Sequence, residues 1–521
     1  MNQTAASKGH PKGLYVLFAT EMWERFNFYG MRAILVLFMT KALLFDDVFS
    51  SKLYGSYISL IYLSPLVGGY IADRYWGNKR SILVGGIVMV IGELILFACG
   101  TVYHSSPDLS TMLFFTGLGF MIAGNGFFKP NISSLVGQLY PANDLRKDAA
   151  YTIFYMGINI GGMMGPFICG FFGDTGNPAD FRWAFLVGAI AMVISIIVQK
   201  IYHNKYVLSP EGKTLGLTPG QDQVIDKMNP DTHKTVVAAP PKFTLNPLFI
   251  FLGLLAFAGI TIGAMYLDTR YDYLFYLLSG SFLFIIFLIF SDKNLNKEEK
   301  QRIWVMIIIA FFVVFFWGAY EQTGASLVFF ADRQTNLNLW GNYNMPVSYF
   351  QSFNSAFIII FAPLFAWIWL KMGTKQPATP TKMGIGLILL ALGYLWIAYG
   401  VNNVNETSKV SIIWLTGLYL LHTWGELCLS PIGLSLFNKL SPLRFASLLM
   451  AVWFLGNAGG NKLAGVLSAL YPDGGKTTNF LGYQMTNLYD FFMLFVFMGG
   501  IAGVILLLLS KKLQKMMHGI T

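Results

Sequence analysis

The stretch Leu14-Tyr-Val-Leu-Phe-Ala-Thr-Glu21-Met-Trp-Glu24-Arg25-Phe-Asn-Phe28-Tyr29-Gly30-Met-Arg32-Ala-Ile-Leu-Val-Leu-Phe-Met39 decides the fold. It exceeds the ~20 apolar residues that a helix needs to cross a bilayer, yet four charged side chains interrupt it. At about 100° per residue, Glu21, Glu24, Arg25, Phe28, Tyr29 and Arg32 share an arc of roughly 140°. A charge at the centre of a span costs at least ~2.5–3.5 kcal/mol on insertion scales, so this arc cannot face lipid. It must line a polar interior that other spanning helices enclose. The stretch therefore predicts a polytopic helical membrane protein.

The remainder of the 521 residues supplies those helices. Apolar residues make up 55% of the chain and charged residues only 12%, outside the range of soluble domains. Apolar runs bounded by charge, Gly and Pro place spans near 14–44, 52–72, 81–103, 111–137, 148–173 and 182–202. A pair follows at 244–267 and 272–291. Six more lie at 302–324, 346–371, 382–401, 410–438, 445–471 and 487–510. The polar stretch 203–243 reads as a linker. The net charge of +10 is scattered between apolar runs with no basic patch, which argues against nucleic acid. Cys99, Cys169 and Cys428 sit inside apolar stretches, without metal-ligand or disulfide spacing, and read as small buried thiols. No metal or cofactor is expected, and no secretory leader.

Basic residues set the expected orientation. With the N-terminus inside and strict alternation, 25 Lys and Arg fall in cytoplasmic segments and 6 in outer loops. Both termini are expected in the cytoplasm. The first and last six spans also read as copies displaced by about 300 residues, a transporter pattern. Pro130 and Pro141 recur as Pro431 and Pro442, Pro65-Leu66 as Pro363-Leu364, and Gly77-Asn-Lys79 as Gly373-Thr-Lys375. The expected division is a six-helix bundle over 1–202, a linker with an inserted helix pair over 203–300, and a second bundle over 301–521.

Five basic residues remain within spans: Arg25, Arg32, Lys41, Lys129 and Lys462. Lys41 lies near a span end and is expected to snorkel. Lys462, deeper and beside Asn461, is open between a lumen-facing role and snorkelling. Glu93 stands alone on the third span, as a helix-contact residue or a functional one. The first bundle thus holds Glu21 and Glu24 against Arg25, Arg32 and Lys129, and the second holds Glu321 and Glu426 with no base at similar depth. A cationic and an anionic wall suit a zwitterion, and two or three extended residues span about 7–11 Å. The competing reading is that these charges only pair to hold helices together, which apolar residues could do at less cost.

Five segments carry a family resemblance that covers nearly the whole chain. Glu21-Met-Trp-Glu-Arg-Phe-Asn-Phe-Tyr-Gly30 resembles the E-x-x-E-R-F-x-Y-Y-G signature of the proton-dependent oligopeptide transporters, within the major facilitator superfamily. Phe154-Tyr155-Met-Gly-Ile-Asn159-Ile-Gly161 resembles their F-Y-x-x-I-N-x-G segment. Gly69 to Arg80 resembles the superfamily's loop between spans two and three. Phe316 to Gln322 and Gly425 to Pro431 resemble the family's acidic segments. The inserted pair is similar to that of fourteen-helix bacterial members, so the resemblance implies the major facilitator fold with two extra helices in a bacterial inner membrane. It implies proton-coupled import of di- and tripeptides, with peptide-like drugs as further cargo.

The resemblance also implies roles. Arg32, Lys129 and Tyr29, with Tyr62 nearby, hold the peptide carboxylate. Asn159, Asn354 and Glu426 receive the amino end, and Ser430 joins the substrate contacts. Tyr155, Trp317 and Trp453 line side-chain pockets, against the alternative of plain helix packing. Glu21, Glu24 and Arg25 with Lys129 form the proton-coupling cluster, and Glu321 exchanges Arg32 for a proton as the protein changes state.

Two departures stand out. Phe28 occupies a signature tyrosine position, and Gly55 stands about where mammalian members carry histidine. Protonation then rests on carboxylates, with His422 a packing or hydrogen-bonding residue. The same fold carrying nitrate or an amino-acid conjugate is the first rival, although both acids and the arginine of the signature are present. A membrane-embedded enzyme would need a metal cluster or an activated nucleophile, and the sequence shows neither. Buried opposite charges argue for occlusion rather than an open channel.

Overall fold

In a computed structural model of the chain, residues 9–141, 144, 146–218, 223–225, 235–237, 247–341, 343–402, 404, 408–472 and 476–519 are described. Much of the expected linker 203–243, with Lys227, Lys234 and Lys242, lies outside them. Fourteen long helices follow in order: α1 (Lys12–Leu37), α2 (Asp47–Ile71), α3 (Asn78–Val102), α4 (Pro107–Gln138), α5 (Arg146–Gly173), α6 (Phe181–Tyr206), α7 (Pro247–Tyr271), α8 (Tyr273–Phe290) and α9 (Lys297–Tyr320). A short α10 (Ser326–Arg333) continues α9 after a break. Then come α11 (Phe350–Met372), α12 (Thr379–Val401), α13 (Ile412–Leu440), α14 (Ala446–Ser468) and α15 (Leu488–Met516). Strands among the described residues are two or three residues long.

Twelve membrane-crossing candidates emerge by length and composition. The two long helices outside that set are α1, with its buried charges, and α14, whose Asn457, Asn461 and Lys462 interrupt its apolar run. Both are polar for a reason that only packing reveals. The expected all-α polytopic architecture with fourteen long helices is the observed one.

Contacts divide the chain into two units. One holds the residues up to Ile34 with Leu63–Gly263, and the other Leu35–Tyr62 with Ala264–Thr521. This cut differs from the expected bundles because the end of α1 and the first half of α2 pack on later helices. Lys41 does not simply snorkel: its Nζ lies 2.5 Å from Asp332 Oδ1. Arg333 grips Asp47 with two bonds of 2.6 and 2.9 Å. Ser59 Oγ donates to Ala458 O at 2.9 Å, and α2 approaches α14 backbone to backbone.

That approach explains Gly55. A Cβ there would lie 2.7 Å from Gly465 Cα, closer than real Cβ contacts. Replacing Gly55 by histidine is expected to force α2 off α14 and to destabilise the protein by about 1–3 kcal/mol, the usual range for overpacking. A thermal-unfolding scan in detergent measures it, and an unchanged midpoint refutes the account.

Within the first unit, α1 lies against α5 across glycines. A Cβ at Gly161 would sit 2.2 Å from Met22 O. Small residues let the two backbones meet and seat the charged turns of α1 in the unit's interior. The three cysteines are buried and unbonded.

Candidate functional site

In the first unit the charged arc of α1 is buried. Glu21 is 3% exposed, Glu24 0%, Arg25 3% and Arg32 7%. Arg25 Nε lies 2.9 Å from Glu21 Oε1 and 2.6 Å from Glu24 Oε2. One guanidinium thus serves two carboxylates of the same helix, that of Glu21 one turn earlier and that of the adjacent Glu24. From α4, Asn125 Nδ2 donates to Glu24 Oε1 at 3.1 Å. Lys129, one turn further along α4 and half-buried, is near enough for its charge to act on Glu24. Sequence reasoning missed Asn125. Its i, i+4 relation to Lys129 on an otherwise apolar helix was the available signal.

Phe28 is 4% exposed, and the Arg25 guanidinium sits 5.4 Å from its ring centre. The ring that replaces a tyrosine therefore buttresses the arginine by cation–π attraction. Tyr29, half-buried, meets Phe28 edge-on at 5.2 Å. Glu93 is not isolated: Asn27 Nδ2 on α1 donates to its Oε1 at 2.7 Å, tying α3 to α1. On α5, Asn159 is buried and its amide donates to Tyr155 O, 2.8 Å away and one turn back. Tyr155 itself is exposed.

In the second unit, α9 ends at Tyr320 and a 3-10 turn, Glu321–Gly324, precedes α10. Such a break inside a span frees backbone groups that must be satisfied nearby. Gln322, fully buried, does this. Its Nε2 donates to Gly318 O and Ala464 O at 3.0 Å each, and its Oε1 accepts from Ser326 Oγ at 2.5 Å. Thr323 O accepts from Gln351 Nε2. Glu321, 2% exposed, is thereby fixed at the break.

Glu426 on α13 receives two donors on one oxygen. Tyr320 OH lies 2.6 Å from Oε2 and Asn354 Nδ2 lies 3.0 Å from it. Asn354 also donates to Thr423 Oγ1 at 3.1 Å. Tyr320 is the second residue that sequence reasoning missed, masked by an aromatic stretch that reads equally as core. Trp317 touches Tyr320 edge-on at 5.2 Å. Trp453 is buried beside Phe437, their ring centres 5.1 Å apart. Ser430 and Tyr62 are half-buried on α13 and α2. His422, 1% exposed, packs 4.8 Å from the Tyr394 ring.

Lys462 corrects both alternatives left open for it. It neither faces a lumen nor snorkels: it is 1% exposed and paired with Asp268 and Asp272 of the inserted helices, at 2.6 and 2.9 Å. Sequence alone could not anticipate a partner almost 200 positions away.

A polytopic helical bundle with a broken span and buried carboxylates has the build of a membrane transporter. Comparison with known proteins identifies which kind. The model of the POT family matches residues 79–213 and 264–506, and the chain belongs to that family of proton-dependent oligopeptide transporters. It is 34% identical to the uncharacterized transporter YclF of Bacillus subtilis (strain 168), over 98% of this chain and 96% of that protein. It is 32% identical to the peptide transporter YePEPT of Yersinia enterocolitica subsp. palearctica, over 88% of each. The solved structure of a POT family transporter in complex with 5-aminolevulinic acid superposes with a TM-score of 0.79, at 29% identity, over 98% of both chains. The major facilitator fold expected from the sequence is thereby shown, and the protein is a transporter rather than an enzyme.

Proposed function

We propose that the protein imports di- and tripeptides together with protons by alternating access. The observation that carries this is the opposite character of its two buried polar sets. Arg32 and Lys129 with Tyr29 and Tyr62 take the carboxylate of a zwitterion. Glu426, held by Tyr320 and Asn354, takes the ammonium together with Asn159, and Ser430 adds a polar contact. Tyr155, Trp317 and Trp453 border the side chains. The name of the Yersinia relative supports peptide as cargo, and the bound molecule of the solved relative is itself a zwitterion.

Glu21, Glu24 and Arg25 with Lys129 form the proton-coupling cluster in this reading. A buried carboxylate is stable when paired with a cation or when protonated, so losing the partner recruits a proton. The moving bodies are the repeats over 1–202 and 301–521, joined by 203–300. The membrane is the bacterial inner membrane, with both termini cytoplasmic as the positive-inside asymmetry requires.

Uptake of labelled dialanine into proteoliposomes with and without an inward proton gradient tests the proposal. Accumulation above equilibrium only with the gradient is expected. Uptake indifferent to the gradient removes the coupling, and no uptake removes the cargo.

A further inference from the structure

The inserted helices α7 and α8 have no counterpart in the repeat, yet their corner gathers four charges, of which Asp268 and Lys462 are buried and Asp272 and Lys52 partly exposed. Asp268 sits on α7 and Asp272 at the turn into α8. Lys462 of α14 reaches both, at 2.6 and 2.9 Å. Lys52 of α2 reaches Asp272 Oδ2 at 2.8 Å, and Ser56, one turn along α2, donates to Asp268 Oδ2. Asp268 Oδ1 accepts from Leu274 N at 2.8 Å and so caps the first turn of α8. Asp272 has a left-handed backbone, φ 51°. Aspartate is one of the few non-glycine residues that adopt this conformation readily, because its short side chain can bond locally.

Further down, α7 packs on other elements. Ala258 joins Val88 of α3 and Ala123 of α4 in one apolar cluster, with Phe257 and Leu254 against it. Within the second unit the end of α7 is thus held by ions to α2 and α14. At the same level α2 and α14 touch directly, Ser51 Oγ lying 3.1 Å from Ser468 Oγ.

We propose that the inserted pair is an ionic strap on the outer end of the protein, whose Asp268–Asp272 corner latches α2 to α14 and must let go of one of them before substrate can enter. The seam lies at α2. Lys462 is 1% exposed and holds both aspartates, whereas Lys52 is 26% exposed and holds one. The corner therefore stays with α14, and Lys52 and Ser56 part from it. Lys52, Ser56, Asp268, Asp272 and Lys462 are in this account positioning residues for transport and do not touch substrate. The inference rests on the transport reading above and on the topology proposed there.

Cysteines at positions 51 and 468 test it, because hydroxyls in contact mark side chains within reach of a disulfide. The full-length S51C/S468C protein is oxidised in vesicles with a small membrane-permeant oxidant in excess, so that proximity of the two thiols rather than reagent access sets the rate, and cross-linking is followed. Lys52→Gln or Asp272→Asn in that background is expected to slow cross-linking several-fold, while Lys52→Arg retains the parent rate. Both neutral variants lie at partly exposed positions, and asparagine tolerates the left-handed corner. Cross-linking unchanged in Lys52→Gln and Asp272→Asn overturns the latch. The assay needs no substrate, so a slowed rate without dialanine uptake sinks the cargo reading and leaves the latch standing. Gradient-driven uptake with an unresponsive cross-link does the reverse.

Discussion

Glu321→Gln is expected to abolish gradient-driven accumulation of dialanine while sparing peptide counterflow. Glu321 is 2% exposed and opens the turn that interrupts α9 and α10. An ionised carboxylate at that depth is costly unless a cation or several donors compensate it. In the cycle proposed above Arg32 would supply the cation in one conformation, as the family resemblance implies, and a proton would in another. An incoming peptide carboxylate would then compete for Arg32 and release Glu321 to bind the proton. The coupling is reciprocal, so proton binding must equally favour peptide binding. Glutamine keeps the shape and hydrogen-bonding reach but is permanently neutral, so the conformational cycle persists and the gradient loses its handle. Counterflow needs only that cycle. Driven uptake at the parent level in Glu321→Gln would falsify the assignment.

The second large effect concerns stability. Lys462→Met is expected to cost about 3–5 kcal/mol, the range for stranding one partner of a buried ion pair. Asp268 has 0% side-chain exposure and would keep only Ser56 and the Leu274 amide as donors. Asp272 keeps Lys52 and is partly exposed, so it contributes little. Pairing Lys462→Met with Asp268→Asn removes the stranded charge, and the double variant is expected to recover much of the loss. Thermal unfolding in detergent reads both. A double variant no more stable than Lys462→Met alone would show that the pair is not coupled.

These two residues illustrate how far the sequence could be read. Glu321 was visible because an acid inside an apolar run has few innocent explanations, and the motif around it is local. Lys462 was equally visible as an anomaly, but its explanation was not. Its partners lie on α7 and at the α7–α8 corner, and no pattern in either segment points to position 462. The same holds for Lys41 with Asp332 and for Glu93 with Asn27. In each case one member was noticed and its partner was found only by folding. Asn125 and Tyr320 escaped for the opposite reason. An amide or a phenol within an apolar helix is common enough that only its contact with Glu24 or Glu426 gives it meaning.

Sequence by itself determined the helices and their number, and it marked the anomalous charges. These follow from transfer energies and helical period, which act residue by residue. It also determined the family, through short motifs that survive as contiguous strings. The tertiary structure alone decided which charges meet, why Gly55 admits no side chain, and that the inserted pair is pinned by ions rather than merely appended. Those outcomes depend on distances between segments tens to hundreds of residues apart, and the energy of an ion pair or a backbone contact is set by that distance.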